Sequence, residues 1–376
     1  MKEVLVSRTK KTERIVSIDA FRGFIMILMA LDHANSFLSF GGSYEFWGGP
    51  WPSIESNAAF LTRFITHICA PGFFFLMGIS MIYLFHSRKN LNWTDNRIRR
   101  YFLIRGFIVI GVHFALSGFL AVPSFIRGQF GIVFNVLFIL GIAMIINSFL
   151  LRKKPLSLFL LSGLFLLIPV VVLNELIQYS QPLNPIFQLL FAPGDMGPHT
   201  VFYTLFPWIG FCTLGIGFGK ILANNRRLAF ARLPLFSSAA FIFFLILRLL
   251  GGFGNIRPPE DSGWMAFLNM TKYPPSLTFS FFTMSIITIL LYLFESATAF
   301  IEKRAGFLLV FGRSALFFYV IHHIIYVTMM LLGLRDLPMA TMYIFWIIGL
   351  VVAYPMCRHY ASFKRRQPTE SFWRMF

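Results

Sequence analysis

Ten runs of mainly apolar residues recur along the chain, near 16–38, 60–86, 101–121, 131–151, 156–177, 201–222, 233–252, 274–295, 306–332 and 339–357. A helix needs about 20 such residues to cross the hydrocarbon core of a bilayer, and its backbone polar groups must be satisfied within the segment. The pattern predicts an all-α, polytopic membrane protein with about ten transmembrane helices, forming a single domain over residues 1–376. The polar connections alternate in charge. Those on the side of the N-terminus, counting both ends of the chain, hold 24 of the 33 Lys and Arg residues, whereas the other side holds only Arg127, Arg257, Lys272 and Arg335. Basic loops stay in the cytoplasm, so the N- and C-termini are predicted to be cytoplasmic, with basic segments at 1–15 and 358–376. The expected location is the cell (inner, cytoplasmic) membrane. No small-residue cleavage site follows the first run, which therefore reads as an uncleaved span.

Composition agrees with the pattern: 57% of residues are hydrophobic, 48 are Phe, and only 13% are charged, against about 25% in a soluble domain. The net charge of +18 raises nucleic-acid binding as a reading. The basic residues, however, lie in short clusters between apolar runs and form no continuous face, so no nucleic-acid partner is expected. Cys69, Cys212 and Cys357 fall inside apolar runs at unrelated spacings and read as small buried hydrophobes. The expected partners are the lipid bilayer and a small-molecule or glycan acceptor, with a homo-oligomer left open. The external loops at 41–57 and 178–200 and from Gly252 to Tyr273 are too long for simple turns, which points to function. No internal repeat of the kind found in many transporters is visible.

Ionisable side chains inside spans are costly and mark function. The first run holds Asp19, Arg22, Asp32 and His33. Arg22 and His33 are eleven residues apart, about 1100° around a helix and roughly 16 Å along it, so they share one face. Asp19 and Arg22, spaced i, i+3, also suit a buried ion pair. The second run places Arg63 and His67 at i, i+4, one turn before Pro71, which frees a backbone carbonyl. His67 and His33 fall at similar depth in the outer half. Asp195 and His199, Lys272 and Tyr273, and His322 and His323 are further candidates on that side. Histidine suits general acid–base work because its pKa lies near neutrality. No HxxxH or HxH spacing occurs, so no metal is expected. On the inner half, Arg105 and Arg313 join Asp19 and Arg22. Arginine forks suit phosphate groups, so an inner cationic lining and an outer acid–base cluster fit a phosphorylated donor inside and an acceptor outside. GIGFG (215–219) sits inside a run without a preceding strand and reads as small residues for close helix packing.

Six motifs in order carry a resemblance: IDAFRGFIMILMALDHA (18–34), RFITHICAPGFFFLMG (63–78), LFPWIGFCTLGIGFG (205–219), TKYPPSL (271–277), FGRSALFFYVIH (311–322) and YPMCRHYASFK (354–364). Together they resemble the bacterial branch of the heparan-alpha-glucosaminide N-acetyltransferase catalytic-domain family, within a wider group of transmembrane acyltransferases. The resemblance implies acyl transfer across the membrane, with acetyl-CoA as cytoplasmic donor and a sugar hydroxyl or amine as acceptor. Related polysaccharide O-acetylating enzymes carry an Arg and a His in the first span with ten residues between, as Arg22 and His33 are spaced. The lysosomal member has its catalytic His in the loop after the first span. This chain has none over 34–59, and has His33 where that member has Asn. The implied roles are His33 as general base with Asp32 or a partner from another helix orienting it, His67 as second acid–base or acceptor-positioning group, Lys272 and Tyr273 on the oxyanion, and Arg22, Asp19, Arg313 and Arg105 at the donor. Asp195, His199 and His322 fall to the acceptor. The competing reading is a proton-coupled transporter or glycan–lipid translocase using the same buried groups.

Overall fold

A computed structural model describes residues 14–39, 45–48, 56–126, 131–175, 183–368 and 370–376. The basic N-terminal stretch up to residue 13, most of the first external loop, Arg127 and the start of the loop at 178–200 lie outside these residues. In chain order the helices are α1 (Val16–Leu38), α2 (Asn57–Ile65), α3 (Cys69–Lys89), α4 (Asp95–Ile126), α5 (Val136–Asn147), α6 (Pro155–Glu175), α7 (Pro185–Leu190) and α8 (Trp208–Asn224). They continue with α9 (Arg226–Ala231), α10 (Leu233–Leu250), α11 (Trp264–Leu268), α12 (Leu277–Ser296), α13 (Thr298–Arg304), α14 (Gly306–Arg313), α15 (Ala315–Leu331), α16 (Met339–Arg366) and α17 (Phe372–Met375). The chain is 76% helical and nearly all-α. Each of the ten predicted runs contains a helix. Among the described residues six helical stretches are long and apolar enough to cross a membrane: Asn57–Lys89, Asp95–Leu120, Pro155–Asn174, Arg226–Leu250, Leu277–Ser296 and Met339–Arg366. Outward-facing Leu156, Leu160, Leu235, Leu249 and Leu250 are all at least two-thirds exposed, as a lipid-facing belt requires. The protein is a multi-pass membrane protein.

Three features depart from uniform straight spans. The predicted run at 306–332 is a pair, α14 and α15, bent by 92° at Ser314. The predicted run at 60–86 is broken by a 3₁₀ turn over Thr66–Ile68. Pro71 supplies the reason, since it cannot donate to a carbonyl one turn earlier. Beyond the helices there is a small sheet of β1 (Val133–Phe134), β2 (Gly194–Met196) and β3 (His199–Val201), with β1 parallel and β2 antiparallel to β3. Strands of two or three residues carry too little alternation to show in the sequence.

α1 lies at the centre, packed against α3, α12, α14, α15 and α16. Backbones touch where glycine removes the side chain. A Cβ on Gly312 would lie 1.8 Å from the Asp19 carbonyl oxygen, and one on Gly23 would lie 2.0 Å from that of Leu308. The α3–α8 pair is as close: a Cβ on Gly215, in the GIGFG stretch, would meet the Phe75 oxygen at 2.0 Å, and one on Gly78 the Cys212 oxygen at 2.1 Å. Backbone cannot retreat as a flexible side chain can. Gly215→Val is therefore expected to destabilise the protein by at least the usual overpacking cost of about 1–3 kcal/mol. Thermal unfolding in detergent, with Gly163→Val as a control at an open position, checks this.

Candidate active site

The N-terminal half of α1 borders a cavity of about 680 Å³, within the range of about 300–1,000 Å³ usual for ligand pockets. Along α1 its lining runs from Ile18 to Met26, roughly 12 Å at 1.5 Å per residue, with Arg14 and Ile15 just before the helix. Arg14, Arg22, Arg88, Arg105, Arg313, Lys364, Arg365 and Arg374 face it, against one side-chain carboxylate, Asp19. Met26, Phe73, Leu137, Leu140, Met144 and Tyr319 are among its apolar lining.

Asp19 organises the cationic wall. Arg22 Nη1 donates to Asp19 Oδ1 at 3.1 Å and Arg313 Nε to Asp19 Oδ2 at 3.2 Å. Arg22 also donates to Ser80 Oγ at 2.7 Å and to the Gly312 carbonyl at 3.3 Å, tying together α1, α3 and α14. The i, i+3 ion pair thus exists and lines the cavity as well. Deep in the wall, Arg88 Nε and Arg105 Nε are buried and lack a hydrogen-bond partner among the described residues. A buried donor left unmade is costly, so an anionic ligand suits this wall.

Tyr319, on α15, links the cavity to the C-terminal half of α1. It lines the cavity, and its ring lies against His33 at 5.9 Å, His322 at 5.6 Å and His323 at 4.5 Å between centroids. The tautomers follow from hydrogen bonds. His322 Nδ1 donates to the Phe318 carbonyl at 2.6 Å, because a carbonyl only accepts. In the neutral ring its Nε2 is then an acceptor, and His33 Nδ1, 2.7 Å away, donates to it. The proton on His33 is thereby held at Nδ1, which leaves Nε2 with a lone pair. His323 Nδ1 donates to the Tyr319 carbonyl at 2.8 Å, so its Nε2 is likewise unprotonated.

Asp32 does not orient His33. Its carboxylate accepts from Arg63 Nη1 at 2.6 Å and Thr66 Oγ1 at 2.9 Å. Arg63 extends to Glu45 through Nε at 3.0 Å and Nη2 at 2.8 Å, and His67 Nε2 lies 3.3 Å from Glu45 Oε1. Burial alone would raise the Glu45 carboxyl; Arg63 and His67 beside it overcome that and hold it well below the usual carboxylate range. His67 Nδ1, facing away from Glu45, is buried with no partner among the described residues. His67 is thus arranged as a base backed by a carboxylate, with one nitrogen open.

The loop that ends in TKYPPSL supports this group. Lys272 N and Tyr273 N both donate to the Glu45 carbonyl, at 3.0 and 3.1 Å, and Trp47 N donates to the Tyr273 carbonyl at 2.8 Å. Lys272 is buried, with its ammonium 5.2 Å from the centre of the Tyr273 ring. Arg248 clamps the same loop through the carbonyls of Ala266, Phe267 and Asn269 at 2.6–2.7 Å, which accounts for an arginine at the end of an apolar run.

Of the sequence-predicted residues, Asp19, Arg22, Arg105 and Arg313 meet at one cavity, His33 and His322 pair, and Asp32 and His67 join through Arg63 and Glu45. Asp195 and His199 go elsewhere. Asp195 accepts from Thr200 Oγ1 at 2.8 Å and His199 Nδ1 accepts from Ile132 N at 3.1 Å, both within the small sheet. Glu45, Tyr319 and the position of His323 emerge only from the structure. The signal for Glu45 was faint: it is one of two acids in a loop without a base.

The family model for heparan-alpha-glucosaminide N-acetyltransferase, catalytic, matches residues 14–251. That is well over half of the chain, and the protein belongs to this family. The matched stretch contains Asp19, Arg22, Asp32, His33, Glu45, Arg63 and His67, and ends before Lys272 and the His322–His323 pair. No curated protein matches the chain.

Proposed function

We propose that this member of the acetyltransferase family moves an acetyl group from acetyl-CoA, bound from the cytoplasm, to a sugar hydroxyl or amine on the far side of the cell membrane. In this reading α1, α5, α8 and the bent α14–α15 pair join the six long apolar stretches in a ten-span bundle with both termini inside. The observation that carries it is the cavity along α1. Its cationic wall suits the phosphates of CoA, its apolar part suits the pantetheine and thioester, and its Tyr319 wall touches His33.

His33 Nε2 takes the proton from the acceptor hydroxyl or amine. The new bond forms to the acyl carbon as the carbon–sulfur bond breaks, and the CoA thiolate leaves toward the cytoplasm with the proton restored to it. His322 keeps the His33 proton at Nδ1 throughout. Lys272, a buried cation on the acceptor side, offsets negative charge on the acyl oxygen, where one well-placed donor contributes about 2.7–4 kcal/mol. His67, backed by Glu45, positions the acceptor or takes its second proton. No metal enters this chemistry.

Charge reversal in the cavity tests the donor site without touching the bases. Arg105→Glu is expected to weaken acetyl-CoA binding about tenfold or more, equivalent to about 1.4 kcal/mol, while a saturating donor restores most of the turnover. Titration calorimetry in detergent reads the affinity. Unchanged affinity in a variant with an unchanged melting temperature would place the donor elsewhere.

A further inference from the structure

His33, His322 and His323 each bring one ring nitrogen to within 4.8 Å of the others. The three rings are mutually close, with centroids at 4.1 Å (His33–His323), 4.5 Å (His322–His323) and 5.0 Å (His33–His322). Two of the three already have the outer hydrogen bond typical of metal-bound imidazoles, in which the distal N–H donates to a carbonyl and fixes both tautomer and ring orientation. For His322 that carbonyl is Phe318, and for His323 it is Tyr319. Both lie one turn earlier on α15, so no other element has to rearrange to keep them. The ligands come from two helices and an adjacent pair, which is why no sequence spacing announces them.

We propose that these three histidines form a site for a transition-metal dication, and that occupation of the site silences His33. Three neutral imidazoles with no carboxylate among them suit Zn²⁺ or Cu²⁺ and not Mg²⁺ or Ca²⁺. Zinc–nitrogen bonds are about 2.0–2.1 Å in a tetrahedral site, so the 2.7 Å gap between His33 Nδ1 and His322 Nε2 opens by roughly 0.6–0.7 Å, through ring rotations. To bind through Nδ1, His33 passes its proton from Nδ1 to Nε2. The ring stays neutral and no proton is lost, but the lone pair that accepts the acceptor's proton is gone. Metal and catalysis therefore exclude each other at one imidazole. The binding half of this inference stands on geometry alone, and the inhibitory half rests on the function proposed above.

Electron paramagnetic resonance of purified protein titrated with Cu²⁺ tests the binding half directly. One equivalent of Cu²⁺ is expected to show splitting from coordinated imidazole nitrogens. His323→Ala and His322→Gln, each checked for an unchanged melting temperature, are each expected to weaken binding by about 100-fold, the scale of losing one ligand. Zn²⁺ is expected to compete with Cu²⁺ and to block acetyl transfer over the same concentration range, with recovery on adding a chelator. An absent imidazole signal, or binding in both variants as tight as in the unsubstituted protein, overturns the metal site and leaves the acyltransferase reading intact. Tight binding without inhibition overturns the silencing of His33. Binding in a protein that transfers no acetyl group under any condition tells against the proposed function and not against the metal site.

Discussion

His33→Ala is expected to lower acetyl transfer by about 10²–10⁴-fold, the usual contribution of a positioned general base, and to leave acetyl-CoA binding unchanged. The two effects separate because the cavity lining ends at Met26 on α1, seven residues or roughly 10 Å short of His33. His322→Ala is expected to cost less, because it removes the group that holds the His33 tautomer and not the base itself. Transfer rates and donor affinity measured side by side on the two variants check this ordering. A His33→Ala enzyme that keeps its rate would move the base to His67, whose Nδ1 is buried without a partner among the described residues and whose Nε2 faces Glu45.

Arg63→Met is expected to be the most destabilising change in the network of Asp32, Glu45 and His67. Arg63 holds two carboxylates at once, Asp32 on α1 and Glu45 in the first loop, and Glu45 in turn holds His67. Removing one partner of a buried ion pair leaves an uncompensated charge and costs about 3–5 kcal/mol. Here two carboxylates are left. The melting temperature in detergent should fall markedly, and Arg63→Met combined with Glu45→Gln should recover part of the loss, since the second change removes one orphaned charge. Non-additivity of that kind is what residues sharing one network show. A double variant no more stable than Arg63→Met would mean that Glu45 draws its stability from elsewhere.

Much of this arrangement was legible in the sequence because helices repeat. The eleven-residue spacing of Arg22 and His33 put them on one stripe, and the structure has Arg22 in the cavity wall and His33 against Tyr319, which lines that cavity. GIGFG read as a packing motif, and Gly215 is where α3 and α8 touch backbones. What escaped depends on contacts distant in sequence. Asp32 adjoins His33 in the chain but points to Arg63. The partner of His33 lies 289 residues later. Glu45 carries no pattern of its own and owes its place to backbone pairing with Lys272 and Tyr273. The bend at Ser314 leaves hydropathy unchanged on both sides, so an apolar run reads straight where the chain turns by 92°. Asp195 and His199 had the composition of a site and serve a sheet too short to show periodicity.

The most direct measurement is release of CoA thiol from acetyl-CoA by protein reconstituted in sealed liposomes with its C-terminal tail facing out. The donor is supplied outside and amino sugars or neutral sugars are enclosed within. Release that depends on the enclosed acceptor, with acetylated sugar recovered from the lumen, is the expected result. Uptake or efflux of the sugar with the thioester left intact would contradict acyl transfer and identify the buried ionisable groups as a transport relay.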